Sequence, residues 1–257
     1  MSQSKIKDTL SYCLGIVLIG VLIQGAGVLK GDDLVFPGVA EILQAFFRLL
    51  ATPKTYLLIR TTLQHLILSM AISTAVGVAL GMGMGLNRLL RQLLTPLMVF
   101  LRSFPMIILI FVIMVVVRRE HYSAIPVLAS ALVLIPMIAE AACEGCVRID
   151  RELIDVYRMN SRLNLRVLCQ VYLPLTSGYL RQAYVNAVGM GVKLAVSTEY
   201  MVNIRSSLGS AVQASRDAIE YQDIYAYALV MILLVLLVTE APMLIWRCVR
   251  RLHKQVS

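Results

Sequence analysis

Charge is what this sequence has least of. Only 15% of its 257 residues are Asp, Glu, Lys or Arg, while 59% are hydrophobic. Soluble domains carry roughly 25% charged and 45–50% apolar residues. A soluble fold of this length cannot hide so much apolar surface. That excludes a soluble enzyme, a secreted disulfide scaffold and a disordered chain. Histidine is nearly missing too, and His65, His121 and His253 are too scattered for a metal cluster. Cys143-x2-Cys146 stands alone, with Cys169 the one further thiol nearby, short of the roughly four ligands of a structural zinc site. No G-x4-G-K-[ST] loop is present, so the chain does not cradle ATP phosphates by itself. There is no Ser/His/Asp arrangement and no paired-carboxylate spacing. The basic residues lack the aromatic interleaving of single-strand nucleic-acid binders, and no nucleic-acid partner is expected.

Long apolar runs are what the sequence does have, at a mean hydropathy of +0.78. About 20 residues cross the hydrocarbon core. Six segments qualify: 11–29, 57–86, 97–117, 124–142, 174–201 and 225–246. The expected fold class is therefore an all-α polytopic membrane protein of about six transmembrane helices. The first segment contains Gln24 and no A-x-A-like cleavage site follows it, so it is read as an uncleaved span rather than a signal peptide. Of the 24 Lys and Arg, thirteen fall on the side that holds the N-terminus, eight on the other (counting Arg60 at the outer start of 57–86), and Arg102, Arg181 and Lys193 within spans. The positive-inside rule then places both termini in the cytoplasm. The organisation is a cytoplasmic segment 1–10, a transmembrane domain 11–246 with one large cytoplasmic loop 143–173, and a basic tail 247–257.

Two outer segments look amphipathic. Val39, Ile42, Leu43, Phe46 and Leu50 recur at helical spacing after Pro37. Residues 205–222 mix polar side chains with Leu208, Val212 and Ile219. The cytoplasmic loop reads as two short helices. Leu153, Val156 and Tyr157 share a face of the first, and Asn160-Ser161 interrupts the pattern. Ser161 can cap the second helix, which aligns Leu163, Val167 and Val171. Pro174 suits a helix start. Such a projection fits either a groove on a partner protein or the chain's own membrane domain.

At this loop a family resemblance enters. Asp155-Val156-Tyr157-x3-Ser161-x9-Val171-x-Leu173-Pro174 resembles the E-A-A-x3-G-x9-I-x-L-P loop of ABC importer permeases. The spacing is kept, but Val156, Tyr157 and Ser161 depart from the pattern. Further stretches, in order, resemble the nitrate/sulfonate/taurine branch. They are Leu34-Val35-Phe36-Pro37, Leu101-Arg102-Ser103-Phe104-Pro105, Val147 through Leu153, Ser197-Thr198-Glu199-Tyr200-Met201 and Ser207-Leu208-Gly209. The resemblance implies a permease subunit of a binding-protein-dependent importer with the type I-like bundle, in the inner membrane of a bacterium. Its implied partners are an ABC ATPase dimer, a second permease subunit (a like copy or a paralogue), an extracytoplasmic solute-binding protein and the lipid bilayer. No cofactor is bound directly, and ATP and Mg belong to the ATPase. The implied docking surface comprises Glu152, Asp155, Val156, Tyr157, Asn160, Ser161, Arg162, Leu165, Leu173 and Pro174.

Charges inside spans usually face protein or water. Arg102, Lys193, Ser197, Thr198 and Glu199 are the candidates for the translocation path. Lys193 could equally pair with Glu199 or with a carboxylate on another helix. Glu140 and Glu240 lie near the inner ends of their spans and could reach the interface. Gly77, Gly81 and Gly85 repeat every four residues, a small-residue stripe suited to close helix packing, in the bundle or between subunits. An ion-coupled secondary transporter should show repeated halves and broken helices, and a membrane enzyme should show clustered polar residues. Neither pattern is evident.

Overall fold

A computed structural model describes Gly25, residues 37–150, Asn164 and residues 167–256, with side chains through Thr239 in the last helix. The predicted span 11–29, most of the loop and Glu240 lie outside the described residues or side chains. All regular structure among the described residues is helical. In chain order the helices are α1 (Val39–Ala51), α2 (Pro53–Leu86), α3 (Arg88–Ser103), α4 (Met106–Val116), α5 (Ile125–Val147), α6 (Leu173–Val202), α7 (Leu208–Asp217) and α8 (Tyr221–Val256). A 3-10 turn, Arg119–Ala124, leads into α5.

α5 is the axis of the bundle. Its Ile125, Ala129, Leu134, Ile138, Ala139 and Ala142 are fully buried, and α2 and α6 pack along it. The glycine stripe makes that approach possible. A Cβ on Gly77 would sit 3.0 Å from the Ile138 Cβ, one on Gly81 would run into the Ala139 carbonyl, and one on Gly85 would lie 2.5 Å from the Cys146 Cβ. The stripe therefore serves packing within the chain. On the other flank of α5, Gly145 accommodates Thr176 of α6.

Four predicted spans reappear with slightly wider bounds, as α2, α5, α6 and α8. Three helices are long and apolar enough to cross a membrane by themselves: Pro53–Leu86, Arg119–Val147 and Tyr221–Thr239. α6 has 30 residues, but Gln182, Asn186, Lys193 and Glu199 interrupt its apolar sequence. The segment 97–117 is not one straight span. α3 and α4 meet at a bend of 100°, and counted together they make a fourth span. The cause is local. Proline has no N–H to donate and disfavours helical geometry in the residue before it. Phe104 and Pro105 are both extended, with ψ of 126° and 124°.

α1 is the amphipathic helix expected after Pro37, rotated by about one position. Ile42, Ala45 and Leu49 are buried, whereas Leu43 is exposed. α5 continues through Val147, five residues into the region read as loop. The chain enters α6 through a π turn, Leu168–Tyr172, behind Asn164, whose Oδ1 accepts the Val167 N–H at 2.9 Å.

Candidate functional site

The polar residues of the membrane helices gather at one end of the bundle, where α6 turns into α7. Asn203 ends α6 in the left-handed conformation, φ 56°, a geometry asparagine tolerates. Ser207 then caps α7. Its Oγ accepts the Ser210 N–H at 3.2 Å, and the Ser210 Oγ accepts the Ser207 N–H at 3.1 Å, a reciprocal capping box. The short connection folds α7 back onto α6.

Glu199 sits inside that fold, with no solvent exposure. Its Oε2 accepts the Thr62 hydroxyl at 2.8 Å and the Gly209 N–H at 3.2 Å, and its Oε1 accepts from the His65 Nδ1 at 2.7 Å. The Thr62 Oγ1 in turn accepts the Leu208 N–H at 3.1 Å. The network joins α2, α6 and α7. It also uses physics inherent in α7: the first amides of a helix lack internal acceptors and favour negative charge. Gly209 is required there, because a Cβ would overlap the Tyr200 amide and lie 2.7 Å from the Val196 carbonyl oxygen. Thus the Glu199 and Gly209 stretches, ten residues apart, meet in one contact.

The other candidates divide by position. Thr198 is buried and donates to the Leu194 carbonyl at 2.8 Å. Arg102, in the last turn of α3, donates to the Glu140 Oε2 of α5 at 2.8 Å. That bond fastens the end of α3 beside the bend and gives Glu140 a partner. Lys193 and Ser197 are exposed on α6. Lys193 does not meet Glu199, whose oxygens are taken by Thr62, His65 and Gly209. Of the docking residues, Leu173 and Pro174 are described and exposed, whereas Glu152, Asp155, Val156, Tyr157, Asn160, Ser161, Arg162 and Leu165 lie outside the described residues.

Sequence reading missed Thr62 and His65. A signal existed: Thr62, His65, Ser69 and Ser73 follow at spacings of three and four along an otherwise apolar helix, and all four are buried. Ser73 also reaches across to the Ala131 carbonyl at 3.3 Å. Beyond α7, Arg216 hydrogen-bonds the Tyr200 hydroxyl and Asp217. The Asp217 carboxylate beside it holds the guanidinium pKa above its ordinary value. A cleft of about 920 Å³ opens between α2, α6 and α8, largely apolar and lined by Val78, Leu180, Tyr184 and Val188 with Arg181 at its wall. No group of three or more potential metal ligands occurs among the described residues.

These features describe a helical membrane bundle with a buried polar lock among the described residues, and comparison with known proteins agrees on the fold. No curated protein matches the sequence. Fourteen solved chains match the fold. One is an inward-facing structure of the MetNI methionine ABC transporter, with a TM-score of 0.60 and 19% identity, covering 77% of this chain and 99% of that chain. At that identity the likeness concerns the fold. Residues 73–247 match the family described as the binding-protein-dependent transport system inner membrane component, well over half of the chain. The chain belongs to that family, as a multi-pass ABC importer permease subunit and not an enzyme.

Proposed function

We propose that this subunit forms half of the translocation path for a small solute, delivered by an extracytoplasmic binding protein. A cytoplasmic ATPase dimer drives it, docked on loop 143–173. The observation that carries this reading is the family match over residues 73–247, into which all of the ordered motifs except Leu34–Pro37 fall. Alternating access is then a two-state equilibrium, biased by partners that contact the two states differently. Both termini lie in the cytoplasm, on the side where basic residues accumulate. The ordered motifs favour the nitrate/sulfonate/taurine branch. Asp155, Val156 and Tyr157 are the knobs of the docking surface, and Asn160-Ser161 supplies the break that glycine makes elsewhere in the family. Lys193 and Ser197 face the path, while Arg102, Thr198 and Glu199 hold the helices around it.

The test is co-purification and coupled ATP hydrolysis. The chain, expressed with a candidate ABC ATPase from the same genome, should purify as a complex whose ATPase responds to the loaded binding protein. Tyr157→Ala should lower that stimulation by about tenfold, the size of effect expected for an anchor residue in a docking pocket. Ser161→Gly should leave it intact. A chain that purifies without ATPase, with uptake indifferent to nucleotide, would overturn the reading.

A further inference from the structure

Among the described residues, one face of α6 has no partner helix. Gln182, Asn186, Met190, Lys193 and Ser197 follow at spacings of four, four, three and four residues, which places them in one stripe. All five are exposed. The neighbouring face, with Ala183, Ala187, Leu194 and Ala195, is buried against the bundle. Four of the five exposed residues are polar, an arrangement that acyl chains penalise and that membrane helices turn toward water or protein. Lys193 lies nine residues before the end of α6 at Val202, about 14 Å along the axis.

Among the described residues, no carboxylate of these helices is available to it. Glu199 is held by Thr62, His65 and Gly209. Glu140 is paired with Arg102, Glu144 with Arg148, and Asp223 with Arg48. No other acidic side chain occurs on α2–α6 or on α8 through Thr239. A second copy placed across a two-fold axis presents the same stripe, so it brings another Lys193 and no acid. Two ammonium groups flanked by amides and hydroxyls repel each other, and an anion between them removes that repulsion.

We propose that the Gln182–Asn186–Lys193–Ser197 stripe of α6 is a wall of the solute path and that Lys193 selects an anionic substrate there. This rests on the permease reading above and names its substrate class.

The test needs no identified substrate. Asn186→Cys and Ser197→Cys reporters are placed singly in the assembled complex in proteoliposomes. Each is treated with 2-sulfonatoethyl methanethiosulfonate or with its trimethylammonium counterpart, and labelling of the parent chain is subtracted. Both reporters should label, with a sulfonate-to-ammonium rate ratio above that of a free thiol in solution. Lys193→Gln should lower the sulfonate-to-ammonium rate ratio by about fivefold, the size expected for one charge near 10 Å in water. Lys193→Arg should preserve the ratio. Labelling that is indifferent to Lys193 overturns anion selection and leaves the permease reading standing, because co-purification and nucleotide-dependent uptake test that separately. Reporters that no reagent reaches overturn the placement of the stripe on an aqueous path.

Discussion

A carboxylate without water persists only where hydrogen-bond donors converge on it. Glu199 has three such donors from Thr62, His65 and the Gly209 amide. Glu199→Ala leaves those donors buried and unsatisfied, and should cost about 3–5 kcal/mol. Glu199→Gln keeps the shape and one acceptor oxygen and should cost less, about 1–2 kcal/mol. Gly209→Ala acts on the same contact by bulk, driving a Cβ into the Tyr200 amide and to 2.5 Å from the Glu199 Cβ. The thermal midpoint of the purified complex in detergent checks all three, with Glu199→Gln the mildest. A midpoint unmoved by Glu199→Ala would show that the lock carries no stability. Glu199 and Gly209 were visible in the sequence as motif positions. Their meeting was not, because it depends on the Asn203 turn and on two residues more than 130 positions upstream on α2. Hydropathy treats such a polar stripe as a small dip in an apolar run. Its helical spacing is what marks the inward face.

Among the helices, contact is governed by how closely backbones approach. Gly81→Ala should separate α2 from α5, because its Cβ would meet the Ala139 carbonyl and lie 2.7 Å from the Ala142 Cβ. Overpacking of that kind costs about 1–3 kcal/mol. Gly178→Ala is the control. Nothing lies within 4 Å of a Cβ there, and alanine favours the helix by up to about 1 kcal/mol. Fluorescence-detected size exclusion after a heat step should show Gly81→Ala lost at lower temperature than the parent and Gly178→Ala retained at least as well. If the two behave alike, the stripe does not set the α2–α5 distance. The sequence showed the stripe without showing its partner, since spacing records which residues share a face and not what covers it. The same limit explains α1, where the apolar face was found but turned by about one position. It explains the 100° bend as well: a hydropathy window averages across Phe104-Pro105, and only the backbone chemistry of proline reveals the break.

Over the whole molecule the two ends of the bundle are held differently. The end carrying the α5–α6 connection combines small-residue contacts, Gly85 against Cys146 and Gly145 against Thr176, with the exposed Arg102–Glu140 and Arg148–Glu144 ion pairs. The α6–α7 end closes on polar ties: the Glu199 lock, Arg216 on Tyr200, and Arg48 of α1 on Asp223 of α8. The last joins residues 175 positions apart and fixes the amphipathic helix against the start of the final span. Its two sides are unequal: the Arg48 side chain is 57% exposed and that of Asp223 12%. Arg48→Met strands a largely buried carboxylate and should cost about 2 kcal/mol. Asp223→Asn leaves an arginine that water can solvate, and should cost about 1 kcal/mol. In the double variant the stranded charge is gone, so the losses should fall short of their sum by about 1 kcal/mol. Raising NaCl to about 1 M shortens the Debye length to roughly 3 Å and should lower the parent's midpoint toward that of Asp223→Asn while moving the double variant little. Strictly additive losses with no salt response would mean that the apolar face of α1, Ile42, Ala45 and Leu49, holds that helix to α8 without the ion pair.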